Sequence, residues 1–402
     1  MLLLLWSSSL LLTSALAASV PALRHGVKPK ALRTRQQSTR TRSSPSTCNG
    51  TLTPKLFIIS QFDSEETTWY NRPDIDLLAR NITVPGASPL FPDVHCTESG
   101  EICQFTVGEG EINAAASATA LWLSTAFDLT STYFLIAGIG GVSPHIATTG
   151  SINLARYAVQ FDLQYEFDRS QVPSNWTSGY VPQDAKLPDA PAIASNYPGS
   201  IYGTEVFELN NNLKLRAVEL ARRATLNDTQ AAQIYRSKYG YSPAQDPPTV
   251  VECDSGTSNT YWSGSVLGEA FSAYTKLLTN GSGEYCNSQQ EDNATLEALL
   301  RGHLAGKLDF ERIILLRTAS DFDRAPPGET ETEHLLEAEQ EGFGIAIENI
   351  YRAGIEIVKD VVEQWNSTYA KGIAADNHVG DLFNSLGSEV EADIGTESIY
   401  IN

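Results

Sequence analysis

Positive charge is scarce in this sequence of 402 residues: 28 Lys and Arg stand against 48 Asp and Glu, a formal charge of −20 at pH 7. A surface of that sign repels phosphate backbones, which excludes nucleic acid as a partner. The few basic residues crowd toward the start, where residues 1 to 50 hold seven Lys or Arg and no acid. Long apolar runs are missing as well. Past the first 18 residues nothing approaches the roughly 20 apolar residues of a membrane-spanning helix, so the chain does not by itself build a helical solute channel. His95, His145, His303 and His334 lack ligand spacing, and no Gly-x-Ser-x-Gly elbow occurs. Neither a metal site nor a serine hydrolase is expected. Gly108-Glu109-Gly110-Glu111 lacks the third glycine of a dinucleotide fingerprint, and its acids would repel a pyrophosphate. No cofactor is expected.

The first residues are Leu2 to Leu5, Trp6, three serines and Leu10 to Leu12, closed by Ala15-Leu16-Ala17. This reads as a signal peptide over 1–17; the other reading is an uncleaved anchor, but serines interrupt the run. Residues 18–50 form a basic leader without apolar periodicity, expected to be flexible. Seven Asn-x-Ser/Thr sequons, at Asn49, Asn81, Asn175, Asn227, Asn280, Asn293 and Asn366, agree with a secreted or cell-surface glycoprotein. Asn293 is the sequon most expected to be buried. Cysteines number only five, an odd count, so one has no partner within the chain. Cys96 and Cys103 flank what reads as a hairpin turn and are the first expected disulfide, Cys253 with Cys286 the second.

With 42% hydrophobic and 19% charged residues, the chain is long enough for one large or two ordinary domains. The runs KLFIIS (55–60), YFLIA (133–137) and RIILLR (312–317) read as buried parallel strands. Helical periodicity covers Asn113 to Phe127 and Leu335 to Trp365. The pattern predicts an α/β fold, one domain over 51–402 with a mixed central sheet flanked by helices. Residues 165–250, rich in Pro, Asn, Ser and Tyr around a helix near Leu213 to Arg223, are expected to be an insertion covering one end of the sheet.

Ligands of open α/β sheets bind beyond the carboxyl ends of the strands. After the three strands come Gln61-Phe62-Asp63-Ser64-Glu65-Glu66, Gly138-Ile139-Gly140-Gly141 and Thr318-Ala319-Ser320-Asp321-Phe322-Asp323. Two carboxylate clusters and a glycine loop are thereby expected at one pocket. The acids alone could equally be helix caps or solvent-exposed groups, and the glycines a plain turn.

FIISQFDSEE, TVGEGEINAA, LIAGIGGVSP followed by TTGSINLARYAVQFD, and RTASDFDRAPPG resemble the fungal purine nucleoside permease family over residues 53 to 400. In order and spacing these motifs are remotely similar to the nucleoside phosphorylases and nucleosidases. The resemblance implies a nucleoside phosphorylase-like fold and a purine nucleoside ligand of adenosine, inosine or guanosine type. It implies Asp321 beside N7 of the purine, Glu291 on the ribose and Glu65 as the base that activates water. Phe62, Gly138, Gly140, Gly141 and Asp323 are further expected substrate contacts, with Trp69, Tyr70, Tyr261 and Trp262 available to stack on a base. Asp254-Ser255-Gly256 is expected to border the base pocket.

Cleaving a glycosidic C–N bond passes through an oxocarbenium-like state, and it needs an acid for the leaving base and a carboxylate for the water. Asp321 and Glu65 supply that pair. A cationic phosphate clamp is missing: Leu135 stands where the phosphorylases carry an arginine, and no Arg or Lys lies between Lys55 and Arg72. Hydrolysis is therefore expected over phosphorolysis, with Arg317 holding the Asp321 loop. The alternative is a nucleoside-binding component of transport without catalysis. Homodimerisation is left open.

Overall fold

The computed structural model describes residues 50–185 and 197–392, all within a compact unit spanning Ser46–Asn402. The expected signal peptide, the expected basic leader up to residue 49, Cys48 and Asn49 lie outside the described residues. KLFIIS gives the strand Leu56–Ser60, and the other two runs give Tyr133–Val142 and Ile313–Phe322. Both of these extend beyond the apolar run that marked them, so the glycines 138, 140 and 141 and Asp321 sit inside strands rather than in loops after them. The reason is pairing: Tyr133–Val142 lies parallel to Ile313–Phe322 along its whole length, with Gly138 opposite Arg317 and Gly141 opposite Asp321. A bulge between Ala319 and Asp321 breaks the register.

Alternation along these strands builds two cores. Phe57, Ile59, Phe134, Ile136 and Leu315 pack with Ala114, Ala118 and Leu121 of the helix Glu111–Leu123 and with Leu296 and Leu299 of Asp292–Leu304. Leu56, Ile58, Leu135, Ile314 and Leu316 face the opposite way, onto Ile350, Val358 and Val361 of Phe343–Glu363 and Leu213 and Ala217 of Asn211–Ala221. Apolar side chains on both faces are what a sheet covered by helices on both sides requires.

The sheet is mixed. Leu56–Ser60 is parallel to both Ile102–Thr106 and Tyr133–Val142. Tyr285–Gln289 runs antiparallel to Tyr133–Val142 and parallel to Asp254–Thr257. Segment 165–250 is more than a cover: Val206–Glu208 joins the main sheet beside Tyr157–Gln160, and Val250–Val251 pairs with Ile152–Ala155. The helical pattern of 335–365 divides into Glu331–Leu336 and Phe343–Glu363. Glu341, with φ of 59°, interrupts it, and Gln340 uses its Oε1 to accept the Phe322 N–H instead.

Cys96 and Cys103 face each other across the antiparallel strands Asp93–Cys96 and Ile102–Thr106 and are disulfide-bonded. Cys253 and Cys286 form the second bond. Asn293 is buried and its amide is consumed by Thr257, Ala158 and Thr204, whereas Asn81, Asn175, Asn280 and Asn366 are exposed. Among the described residues no helix is long and apolar enough to cross a membrane, and no cluster of His, Cys, Asp and Glu could hold a metal ion.

Candidate active site

The first strand ends at Ser60 while its parallel neighbour runs on to Val142, so the Ile139 N–H lies past the end of their ladder. Glu65 takes it. The short helix Asp63–Thr67, entered through extended Phe62, turns the chain back so that Glu65 Oε1 accepts from Ile139 N–H and Oε2 from Gln61 N–H, each at 2.7 Å. Burial pushes the Glu65 carboxyl up to about 8, and neighbouring Glu291 adds to the rise. The Arg317 guanidinium and the two backbone N–H groups oppose it without cancelling it.

Arg317 is 1% exposed and is the cation of this cluster. Its Nε donates to Asp292 Oδ1 at 3.1 Å, its Nη1 to the Ile139 backbone carbonyl at 3.0 Å and to the side-chain Oε1 of Gln61 at 3.4 Å, and its Nη2 lies 3.5 Å from Glu291 Oε2. Glu291 also accepts the Gly110 N–H at 3.0 Å. Gly110 has φ of 81°, a conformation glycine adopts freely, and it starts the helix Glu111–Leu123 with that N–H aimed at the carboxylate. Burial again raises the Glu291 carboxyl, countered by Arg317. The carboxyl groups of Asp292, Glu291 and Glu65 thus share one buried guanidinium. Gly138 permits it: a Cβ there would overlap Gln61 Oε1 and lie 2.5 Å from Arg317 Nη1 and 2.6 Å from Glu65 Oε1.

Asp321 stands past the bulge, beside Gly141, where a Cβ would be 3.3 Å from its Oδ2. Glu65 is held at Ile139, two residues earlier on the same strand, roughly 7 Å of extended chain. Burial raises the Asp321 carboxyl; the Ser320 hydroxyl, donating at 2.5 Å, and His334 pull it down, and Asp323 pushes it up. The charge of Asp321 is the main cause of the raised hydroxyl of the exposed Tyr261. Phe62 lies 6.3 Å from the half-exposed Phe343 at the same end of the sheet.

Glu65, Glu291, Gly138 and Arg317 therefore come together, and Asp321 with Gly141 lies adjacent. Gly140 is pressed against Asn287 and the Ser288 carbonyl. Asp323 is turned elsewhere, accepting from Arg324 Nε at 2.7 Å and the Tyr285 hydroxyl at 3.0 Å. Trp69 is fully buried against Tyr351, Tyr70 bonds Glu66, and Trp262 packs on Phe271. Asp254 ties three backbone N–H groups, of Arg156, Tyr157 and Glu284, between strands. Arg317 does not hold the Asp321 loop as expected: its side chain points along the strand face shared with Gly138, and the nearest acids there are Asp292 and Glu291. Asp292 and Asn287 were not expected at the site from the sequence, and Gln61, quoted in the segment after the first strand, had no role there. The adjacent acids of QQED were the available signal for Asp292. Gln61 Nε2 and both amide atoms of Asn287 are buried without a hydrogen-bond partner, so each has bonding capacity to direct at a ligand or an ordered water.

Comparison with known proteins gives relatives and a looser structural likeness. The chain is 44% identical over 351 residues to a purine nucleoside permease of Candida albicans, covering 86% of this chain and 84% of that one. It is 40% identical over 315 residues to a protein named as a probable purine nucleoside permease of Schizosaccharomyces pombe, covering 78% and 90%. Among solved structures, the 5′-methylthioadenosine/S-adenosylhomocysteine nucleosidase of Neisseria meningitidis, in complex with methylthio-immucillin-A, aligns over 77% of this chain and 99% of that one. The TM-score is 0.43 and the identity 15%, too loose to carry residue roles across. The model of the purine nucleoside permease (NUP) family matches residues 53–374, and the chain belongs to that family.

Proposed function

We propose that this protein binds a purine nucleoside and hydrolyses its N-glycosidic bond, acting on the secretory route or outside the cell to salvage purines. The observation that carries the reading is the pairing of Glu65 and Glu291 about one buried arginine, with Asp321 two strand residues away. In this reading water attacks C1′ as the C1′–N9 bond breaks. The bonding electrons go to the purine, which takes a proton at N7 from Asp321, and Glu65 in its ionised form takes the proton of the water. Glu291 accepts the ribose hydroxyls. An excess of carboxylates stabilises the cationic sugar.

The same charge arithmetic opposes phosphorolysis. Arg317 is the guanidinium closest to Glu65, and its donors are already spent on Asp292, Glu291, Gln61 and Ile139. A phosphate dianion placed there would meet three acids and no free cation. The exposed sequons Asn81, Asn175, Asn280 and Asn366 are compatible with the secretory assignment.

The test is turnover. Purified protein is incubated with inosine or adenosine, with and without phosphate, and free base and sugar are measured. Base and free ribose without phosphate are expected. Base released only with phosphate overturns hydrolysis, and tight nucleoside binding with no base in either tube identifies a binding component of transport instead.

A further inference from the structure

Gln61 is the first residue after the strand Leu56–Ser60 and is 1% exposed. Its backbone and its side chain do different things. The backbone N–H donates to Glu65 Oε2 at 2.7 Å, closing the turn that brings the short helix back to the strand end. The side chain reaches Gly138, where Gln61 Oε1 and Glu65 Oε1 both lie within 2.6 Å of the point a Cβ would occupy. The amide of one residue and the carboxyl of the other are thus neighbours at this glycine.

The two ends of that amide are not equivalent. Arg317 Nη1 stands 3.4 Å from Gln61 Oε1 and has only hydrogens to offer, so the oxygen faces it; the reverse orientation would set N–H against N–H. This leaves Nε2, a donor of two hydrogens, buried and without a hydrogen-bond partner. Native proteins seldom bury a donor without a use for it. The acids nearby are held already: Glu65 accepts from Ile139 and from the Gln61 backbone, Glu291 from Gly110, and Asp292 from Ser255 and Arg317. Each carboxylate oxygen of Glu65 keeps a second lone pair. A group bridging Nε2 and Glu65 must accept from the first, donate to the second, and fit where both residues are 1% exposed. Water meets all three conditions. One of its lone pairs accepts the Nε2–H, one O–H points to Glu65, and the other lone pair stays free for carbon.

We infer that Gln61 is a catalytic residue that grips the attacking water, its side-chain N–H donating to the water oxygen while Glu65 takes the proton. The inference rests on the hydrolytic reading of Glu65 and deepens it. In the step, the water oxygen bonds to C1′ as the electron pair of C1′–N9 leaves with the purine; one water proton passes to Glu65 and the other stays on the new hydroxyl of the free sugar. Gln61 exchanges no proton. It fixes the oxygen, and Arg317 in turn fixes Gln61, which gives the buried guanidinium a part in the chemistry without contact to substrate.

Gln61→Glu separates this role from simple support of Arg317, because glutamate keeps the oxygen that Arg317 meets and loses only the amide donor. Base and free ribose released from inosine are followed from pH 5 to 9, beside calorimetric binding of the same nucleoside. The kcat is expected to fall roughly 10- to 100-fold at every pH, with affinity held within about threefold. The whole range is sampled because the added acid also moves the Glu65 proton. A Gln61→Glu variant that keeps more than about a third of the parental kcat at any pH overturns the proposal. Gln61→Ala supplies a readout that a merely supporting side chain would not move. In about 10% methanol the parent is expected to form ribose almost alone; the shorter side chain removes the donor and makes room for a methyl group, so the ratio of methyl riboside to ribose is expected to rise at least about fivefold. An unchanged ratio overturns the proposal even where turnover has fallen. A parent that hydrolyses inosine no faster than both variants removes Gln61 alone. A parent that releases base only with phosphate, or not at all, removes the hydrolytic reading and this inference with it.

Discussion

Glu65 and Ile139 are 74 residues apart in the chain, and the carboxylate of one accepts the backbone N–H of the other at 2.7 Å. That bond fixes an acid from the first helix onto the glycine-bearing strand, directly above Gly138. It couples the ending of one strand at Ser60 to the position of the group proposed to handle water.

Glu65→Gln keeps the volume and removes the base. Nucleoside affinity is expected to stay within a few-fold while kcat falls at least 10²-fold. Steady-state base release from inosine, alongside calorimetric binding of the same nucleoside, reads the two effects separately. A variant that retains most of its kcat removes Glu65 from the mechanism.

The pH dependence follows from burial. An ordinary glutamate near 4.5 is held at about 8 in the folded chain, so the native state keeps a proton that the unfolded chain releases between those values. Stability is then fullest at the acid end of the window and declines as pH rises toward 8, by an amount on the order of 5 kcal/mol from this group. Urea denaturation at pH 5, 7 and 9 is expected to give a shallower decline in Glu65→Gln than in the parent. In kcat/KM the base limb is expected to rise through an inflection near 8.

Arg317→Met leaves Asp292, Glu291 and Glu65 buried without their cation. A loss of roughly 3–5 kcal/mol is expected at pH 8, since an orphaned buried charge costs more than the ion pair contributed. The defect is expected to shrink at pH 5, where the carboxyls can protonate. Equal destabilisation at both values would show that Arg317 acts through packing instead of charge.

Gly138→Ala places a methyl group where Gln61, Arg317 and Glu65 converge. Displacing these groups by about 1 Å is expected to lower kcat/KM by up to 10²-fold. Gly344→Ala, in open space at the start of the helix Phe343–Glu363, is the control and should leave activity unchanged. Similar activity in both variants would mean that the Gly138 cluster is not where the chemistry occurs.

The sequence alone determined the layers. The cores of the strand runs, LFII and IILL, are apolar at every position, as strands covered on both faces are, and the short Cys96–Cys103 spacing matches a hairpin. Those are local patterns whose energetics are set within a few residues. The charges of the site are not local. Whether Asp323 faces a ligand or Arg324, whether Arg317 meets Asp321 or Asp292, and whether Glu65 holds its proton at neutral pH all depend on burial, and the partners of Arg317 lie 25 to 256 residues away along the chain. Electrostatic energy follows distance and dielectric, and both exist only once the sheet has brought its strands together.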